Sequence, residues 1–217
     1  MDKMIRITRT GAAVFVVVCV LGCLFFSRAL QAAEHPWKLR VNKGGVEVYT
    51  RPVDGSATLE FKGSTIVDAP LSRVVSVFEN VERMTAWFYQ CTAARMVQRE
   101  DHQQKVVYMI LHLPWPVTER DCVFRISRSV DNTTKALDYT VVALPDSLPV
   151  DHARIRVPYL KGYWRFTPRT DGKTGIYFQQ HSDPGGVIPA FISNSLVVNM
   201  PYHSLKGLRA LVEGEKK

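Results

Sequence analysis

The chain is poor in the residue patterns that announce catalysis. Its six histidines, His35, His102, His112, His152, His181 and His203, form no pair at metal-ligand spacing, and no HExxH segment occurs. Zinc sites need ligands brought to one face at fixed spacing, so the common zinc patterns are excluded. No GxSxG turn occurs either, which removes a serine nucleophile presented in that manner. The 28 Lys and Arg residues against 20 Asp and Glu give +8 at pH 7, yet they never gather into runs that would track a phosphate backbone. Nucleic acid is therefore not an expected partner. Cysteine is scarce, at four residues. Cys19 and Cys23 fall in an N-terminal apolar stretch, while Cys91 and Cys122 sit in strand-like runs, where a bridge is allowed but not required. No metal or cofactor set is expected.

What is present first is a leader. Lys3, Arg6 and Arg9 precede 16 uninterrupted apolar residues, Gly11 to Phe26, and the small residues Ala29, Ala32 and Ala33 follow. This is a secretory signal pattern, read as residues 1–32 with cleavage near Ala32. The apolar run is shorter than the roughly 20 residues that span a bilayer, so an uncleaved anchor through residues 11–26 ranks second. Val20-Leu21-Gly22-Cys23 is similar to the segment before a lipid-modified cysteine, but the apolar Leu24-Phe25-Phe26 beyond it argues against lipidation. In each case the basic start places the folded part outside the cytoplasm, in the periplasm or secreted. Residues 33–217 then make one domain of ordinary size, with 24 basic and 19 acidic residues and a charge of +5. That charge reads as a solvated coat, or as mild attraction to anionic head groups.

Strand patterns separated by turn residues cover Trp37 to Val41, Val46 to Arg51 and Thr58 to Val67. Asp68-Ala69-Pro70 opens a helix in which Leu71, Val74, Val75 and Phe78 recur at helical spacing, and a second short helix follows over Val81 to Trp87. Strands resume at Cys91 to Arg99, Lys105 to Leu113, Cys122 to Ser129, Lys135 to Ala143, Arg154 to Thr167 and Gly175 to Ser182. Their short connections imply an antiparallel meander. Leu144 to Val150, with two prolines, is a surface loop, and Pro158 should interrupt or bulge its strand. Ile188 to Glu213 is the longest helical pattern, and Pro201 should kink or split it. Helix on sheet gives an α+β layer.

Two segments are the most informative. Leu113-Pro114-Trp115-Pro116-Val117-Thr118-Glu119-Arg120-Asp121 joins two strands through a proline-stiffened turn. Asp183-Pro184-Gly185-Gly186-Val187-Ile188-Pro189 leaves a strand through two glycines, with Pro189 suited to the first turn of a helix. With Gly162-Tyr163-Trp164, Gly45-Val46-Glu47-Val48-Tyr49 and Trp87 in this order, the chain resembles the START family of lipid-transfer domains, within the helix-grip superfamily, from Trp37 to about Val212. The resemblance implies a curved antiparallel sheet gripping a long C-terminal helix, with an apolar cavity between them that holds one lipid. Longer members add an N-terminal helix, for which almost no room is expected here between the leader and Trp37, so the chain resembles a shortened version. Some sterol-carrying members place a charge in the cavity on the strand after the Arg-Asp turn. Ile126 stands at the matching position, which speaks against sterol specificity.

Side chains alternate across a strand, so the all-apolar set Val107, Met109, Leu111 and Leu113 is assigned to the inner face, with Cys122, Phe124 and Ile126 beside it. Trp87 and Phe178 join this candidate wall, and the final helix contributes Phe191, Ile192, Ser195, Leu196 and Asn199. Ser195 and Asn199 interrupt the apolar stripe: they either face solvent or meet a polar group of the ligand. Gly185 and Gly186 are read as the hinge of a lid. Arg120 and Asp121 are read as structural, the forked guanidinium holding loop carbonyls or a carboxylate. Trp115 is read as a packed anchor, with a membrane-interface position as the alternative. A filled core would show the same pattern. The function expected is binding or transfer of a lipid or other hydrophobic small molecule by a monomer with transient membrane contact, without catalysis. A cyclase or hydrolase of the same superfamily and a solid protein-binding module are the competing readings.

Overall fold

In β2 (Val46–Arg51), β3 (Glu60–Val67) and β10 (Thr174–Asp183), burial alternates residue by residue, so one face of each strand turns inward. Apolar side chains at alternate positions are enough to fix that register, since a one-residue slip would expose them all. The computed structural model describes residues 35–214. The leader expected over residues 1–32 lies outside the described residues.

The remaining strands are β1 (Lys38–Lys43), β4 (Cys91–Arg99), β5 (Gln104–Leu111), β6 (Arg120–Val130), β7 (Leu137–Ala143), β8 (Ile155–Arg156) and β9 (Tyr159–Pro168). They join in one curved sheet of order β1-β2-β3-β10-β9-β7-β6-β5-β4, with β8 beside β6. The expected meander is present from β4 to β10, and β10 then closes on β3 through an antiparallel ladder from Thr174↔Val67 to Gln180↔Phe61. The single strand expected over Arg154 to Thr167 is two. Pro158 has no amide to donate, and Val157 N instead donates to Asp121 O at 2.9 Å, drawing β8 into a parallel pair with β6.

Helix α1 (Leu71–Phe78) and a 3₁₀ turn at Val81–Ala86 cross the inner face, where Val74, Val77, Phe78 and Met84 are buried. Asn80 caps the turn by accepting from Arg83 N at 3.3 Å. Helix α2 (Ala190–Glu213) lies in the grip of the sheet. Its C-terminal half buries Pro201, Ser204, Leu205, Leu208 and Val212, a stripe at three- and four-residue steps. In its N-terminal half, Ile192 is buried and most neighbours are half-buried. The helix is neither split nor ended at Pro201: that ring is buried, 3.5 Å from where a Cβ on Gly63 would stand. Packing holds α2 together where the backbone forfeits the Val197 carbonyl's usual partner.

Two glycines make the grip possible. A Cβ on Gly63 would come within 2.8 Å of Leu205 Cδ1, and one on Gly207 within 2.6 Å of the Trp87 carbonyl oxygen. Ser204 Oγ accepts from Tyr89 N at 3.0 Å one turn earlier, so α2 is fastened to the segment after the 3₁₀ turn. Gly→Ala inside a helix ordinarily gains about 1 kcal/mol from propensity. Gly207→Ala should instead lose about 1–3 kcal/mol in urea unfolding, because the methyl meets rigid backbone. A stabilised variant would contradict this close approach.

Candidate functional site

The inner face of the sheet, α1, the 3₁₀ turn and the N-terminal half of α2 enclose a cavity of about 110 Å³. Met109 and Leu111 of β5, and Cys122, Phe124 and Ile126 of β6, line it from one side; Leu196, Val197 and Met200 of α2 line it from the other. The parity assignment of β5 and β6 therefore selects the buried face, with Met109 at 2% and Ile126 at 4% exposure. Small-molecule pockets commonly measure about 300–1,000 Å³, so the walls here are drawn in.

Aromatic rings close the deep part. Trp164 stacks on Phe178 with centroids 3.7 Å apart, and Phe78 meets Trp87, Tyr139, Trp164 and Phe166 at 4.8–5.8 Å. Edge-to-face and offset contacts of this kind stabilise beyond simple burial and fix ring orientation. Among the described residues, the ionisable groups on the wall are Arg120 and Cys122. Burial pushes the Cys122 thiol up to about 12, which makes it a poor nucleophile at neutral pH. Cys91 is likewise buried, raised to about 11, and the two are free rather than bridged.

Arg120 is 1% exposed. Its Nε donates to Pro184 O at 3.3 Å, its Nη2 to Gly185 O at 3.0 Å and its Nη1 to Thr118 O, so it ties the β5–β6 loop to the β10–α2 loop. Asp121 accepts a forked pair from Arg156, at 3.0 Å from Nε and 2.9 Å from Nη2. Arg156 also donates to the carbonyls of Pro145, Leu148 and Pro149, fixing the β7–β8 loop. The Asp121 hydrogen bonds raise the pKa of Arg156, whereas burial lowers that of Arg120. Both residues hold loops at one end of the cavity, in line with a bracing role. Gly185 and Gly186 sit at φ +69° and +62°, the left-handed region open to glycine. They are pinned as well as permissive, since a Cβ on Gly186 would come within 2.9 Å of Ile155 Cδ1.

Other assigned residues fall elsewhere. Trp87 lines the cavity, whereas Val107, Phe178 and Ile192 are buried, at 0%, 0% and 5% exposure, without lining it. Phe191 is 73% exposed, because adjacent helical residues point about 100° apart and Ile192 takes the inward direction. Ser195 and Asn199 face outward enough to satisfy one another, Asn199 Nδ2 donating to Ser195 Oγ at 2.8 Å. Trp115 is not a packed anchor: it is 91% exposed, and Leu113 fills the pocket side of its loop. Sequence reasoning missed Met84, Phe88, Leu160, Gln180, Ser182 and Ser193 on the wall. Parity with Phe178 would have found Gln180 and Ser182; nothing local marks Ser193.

A family model described as the START domain matches residues 24–217. An uncharacterized protein of Pseudomonas aeruginosa is 34% identical over 198 residues, covering 89% of this chain and 95% of its own. The phosphatidylcholine transfer protein of Mus musculus is 23% identical, covering 79% of this chain and 81% of its own. Among solved structures, a STAR-related lipid transfer protein fragment from Xanthomonas axonopodis superposes with a TM-score of 0.76 at 31% identity, over 82% of this chain and 99% of that one. Human StAR-related lipid transfer protein 5 superposes at 0.74 with 17% identity, over 95% and 98%, a likeness of fold.

Removing one partner of a buried ion pair strands the other. Asp121→Ala should cost about 3–5 kcal/mol in denaturant unfolding, far above an exposed pair. A loss under about 1 kcal/mol would show that Arg156 is braced by its carbonyl partners alone.

Proposed function

We propose that this chain, which belongs to the START domain family, takes one lipid into the cavity under α2 and carries it between membranes outside the cytoplasm. The family is known for lipid binding and transfer. The observation that carries the proposal is the apolar, aromatic-walled cavity between sheet and helix. Removing hydrocarbon from water gains about 0.8 kcal/mol per methylene, so such a wall offers an acyl chain a site that water cannot. The wall bears no carboxylate or imidazole among the described residues, which favours a carrier over an enzyme. The leader pattern of residues 1–32 supplies the compartment.

At 110 Å³ the cavity must widen to admit a lipid. The N-terminal half of α2 is the element placed to move. It is less buried than the other half, it starts from Gly185 and Gly186, and it meets its clamped continuation at Pro201, where the Val197 carbonyl lacks a helical donor. The outer rim fits a membrane: Trp115, Val187 and Phe191 are 91%, 92% and 73% exposed, on the two loops that Arg120 ties together and on the first turn of α2. Exposed apolar side chains next to a cavity mouth are suited to insertion among head groups.

Organic extracts of the purified protein, read by mass spectrometry, should contain lipid at up to one equivalent. Leu196→Asp puts an unpaired carboxylate in the wall, worth several kcal/mol, and should cut that content by about tenfold or more in a folded protein. Replacing Trp115, Val187 and Phe191 by Ser should leave content unchanged but slow vesicle-to-vesicle transfer of fluorescent phosphatidylcholine by about tenfold, given about 1.5–3 kcal/mol for each fully buried apolar side chain. Absence of lipid in the wild-type extract, with no uptake from vesicles, would sink the carrier reading.

A further inference from the structure

Resting on the carrier reading, we infer that the ligand is an acyl lipid whose ester carbonyl accepts a hydrogen bond from the Trp87 indole N–H inside the cavity. Trp87 is 3% exposed and forms part of the cavity wall. Its Nε1 is buried without a hydrogen-bond partner. Buried polar groups are almost always satisfied, and one left open at a binding cavity is where a ligand atom belongs. The neighbouring Trp164 ring stands edge-to-face at 5.8 Å, and an aromatic face is a far weaker acceptor than a carbonyl.

The geometry around the indole is fixed before any ligand arrives. Phe78 and Phe88 flank the ring at 5.8 and 5.6 Å, and the Trp87 backbone is held where Gly207 of α2 makes its close approach. A preset donor in an apolar surround discriminates strongly, because an unmatched ligand leaves it desolvated and unpaired.

Two features select the carbonyl over other acceptors. The side-chain nitrogens and oxygens buried without a partner are Trp87 Nε1 and Arg128 Nε, both donors. No buried side-chain acceptor is left unpartnered among the described residues, so the wall calls for no second donor from the ligand, and a carbonyl brings none. An anionic oxygen is also disfavoured. The one cation on the wall, Arg120, is committed to the Thr118, Pro184 and Gly185 carbonyls, and the rings around Trp87 carry no charge. A neutral carbonyl joined to hydrocarbon fits what remains: the ester linkage of an acyl lipid, its chain among the apolar side chains of the wall.

The test is competition between dipalmitoyl phosphatidylcholine and its dihexadecyl ether analogue, which lacks both carbonyls, presented together in vesicles and read by native mass spectrometry. The wild-type protein should hold the diacyl form in about five- to tenfold excess, the worth of one buried hydrogen bond. Trp87→Phe, which keeps an apolar ring without the N–H, should take up both in near-equal amounts. Wild-type uptake of both lipids without preference, or a preference that survives in Trp87→Phe, would overturn the inference and leave the carrier reading standing. Uptake of neither would overturn both. Should Trp87→Phe fold poorly, the ¹⁵N-labelled indole signal of Trp87 in the wild-type protein decides: it should shift downfield with the diacyl lipid and stay in place with the ether.

Discussion

The close approach of α2 at two residues without side chains, to β3 at Gly63 and to the segment after the 3₁₀ turn at Gly207, governs the rest of the structure. At Gly63 and Gly207 the helix comes so near that a single methyl would meet Leu205 or the Trp87 carbonyl oxygen. Buried area scales with how closely surfaces meet, so this contact lets Leu205, Leu208 and Val212 reach full burial on a sheet that curves around them. The same contact is one-sided. It ends near Pro201, and beyond it the helix rests on residues that also border a cavity. A clamp at one end and a cavity under the other divide one helix into a fully packed half and a half that borders the cavity.

Charge is handled by confinement rather than by exclusion. Arg120 and Asp121, adjacent in sequence and both buried, point to different tasks: one gathers carbonyls from two loops, the other neutralises Arg156, which gathers carbonyls from a third. Carbonyls cannot cancel a full charge, and burial accordingly lowers the pKa of Arg120. They do draw one donor from each of its three nitrogens to the loops, beside a cavity wall that is mostly apolar. The glycines at 185 and 186 are needed in this arrangement because the chain must pass Ile155 and Pro158 closely, at positive φ, before it enters α2.

Much of this was legible in the sequence, for reasons of period. Strand alternation identified the Met109, Leu111, Cys122, Phe124 and Ile126 face, and the helical stripe identified the long helix. Local chemistry was less reliable where tertiary contact decides. Of the kink or split that Pro201 suggests, the split does not occur, because packing on Gly63 holds the helix through it. Trp115 is read from the sequence as a packed anchor, but the loop places Leu113 inward and leaves Trp115 91% exposed. Phe191 is placed inward by the sequence because a stripe read along a sequence cannot say where its edge lies; a turn of 100° per residue separates Ile192 from Phe191, and of the two readings open for Ser195 and Asn199 their mutual hydrogen bond favours the outward one. The open N–H of Trp87 could not be read at all, since partners are a property of the folded neighbourhood.

These features bear on the energetics of carriage. An acyl chain of about 16 carbons costs on the order of 13 kcal/mol to expose to water, so a carrier must cover nearly all of it. A cavity that stood open to that size would leave a hollow core, and hollow cores lose stability in proportion to their volume. The cavity of about 110 Å³ among stacked rings and half-buried helix residues leaves little hollow space of that kind. Part of the gain from burying a lipid is then spent on reopening the space, which weakens binding relative to a preformed site. For the carrier proposed above that weakness would be useful, since a lipid held with the full transfer energy would not leave at an acceptor membrane.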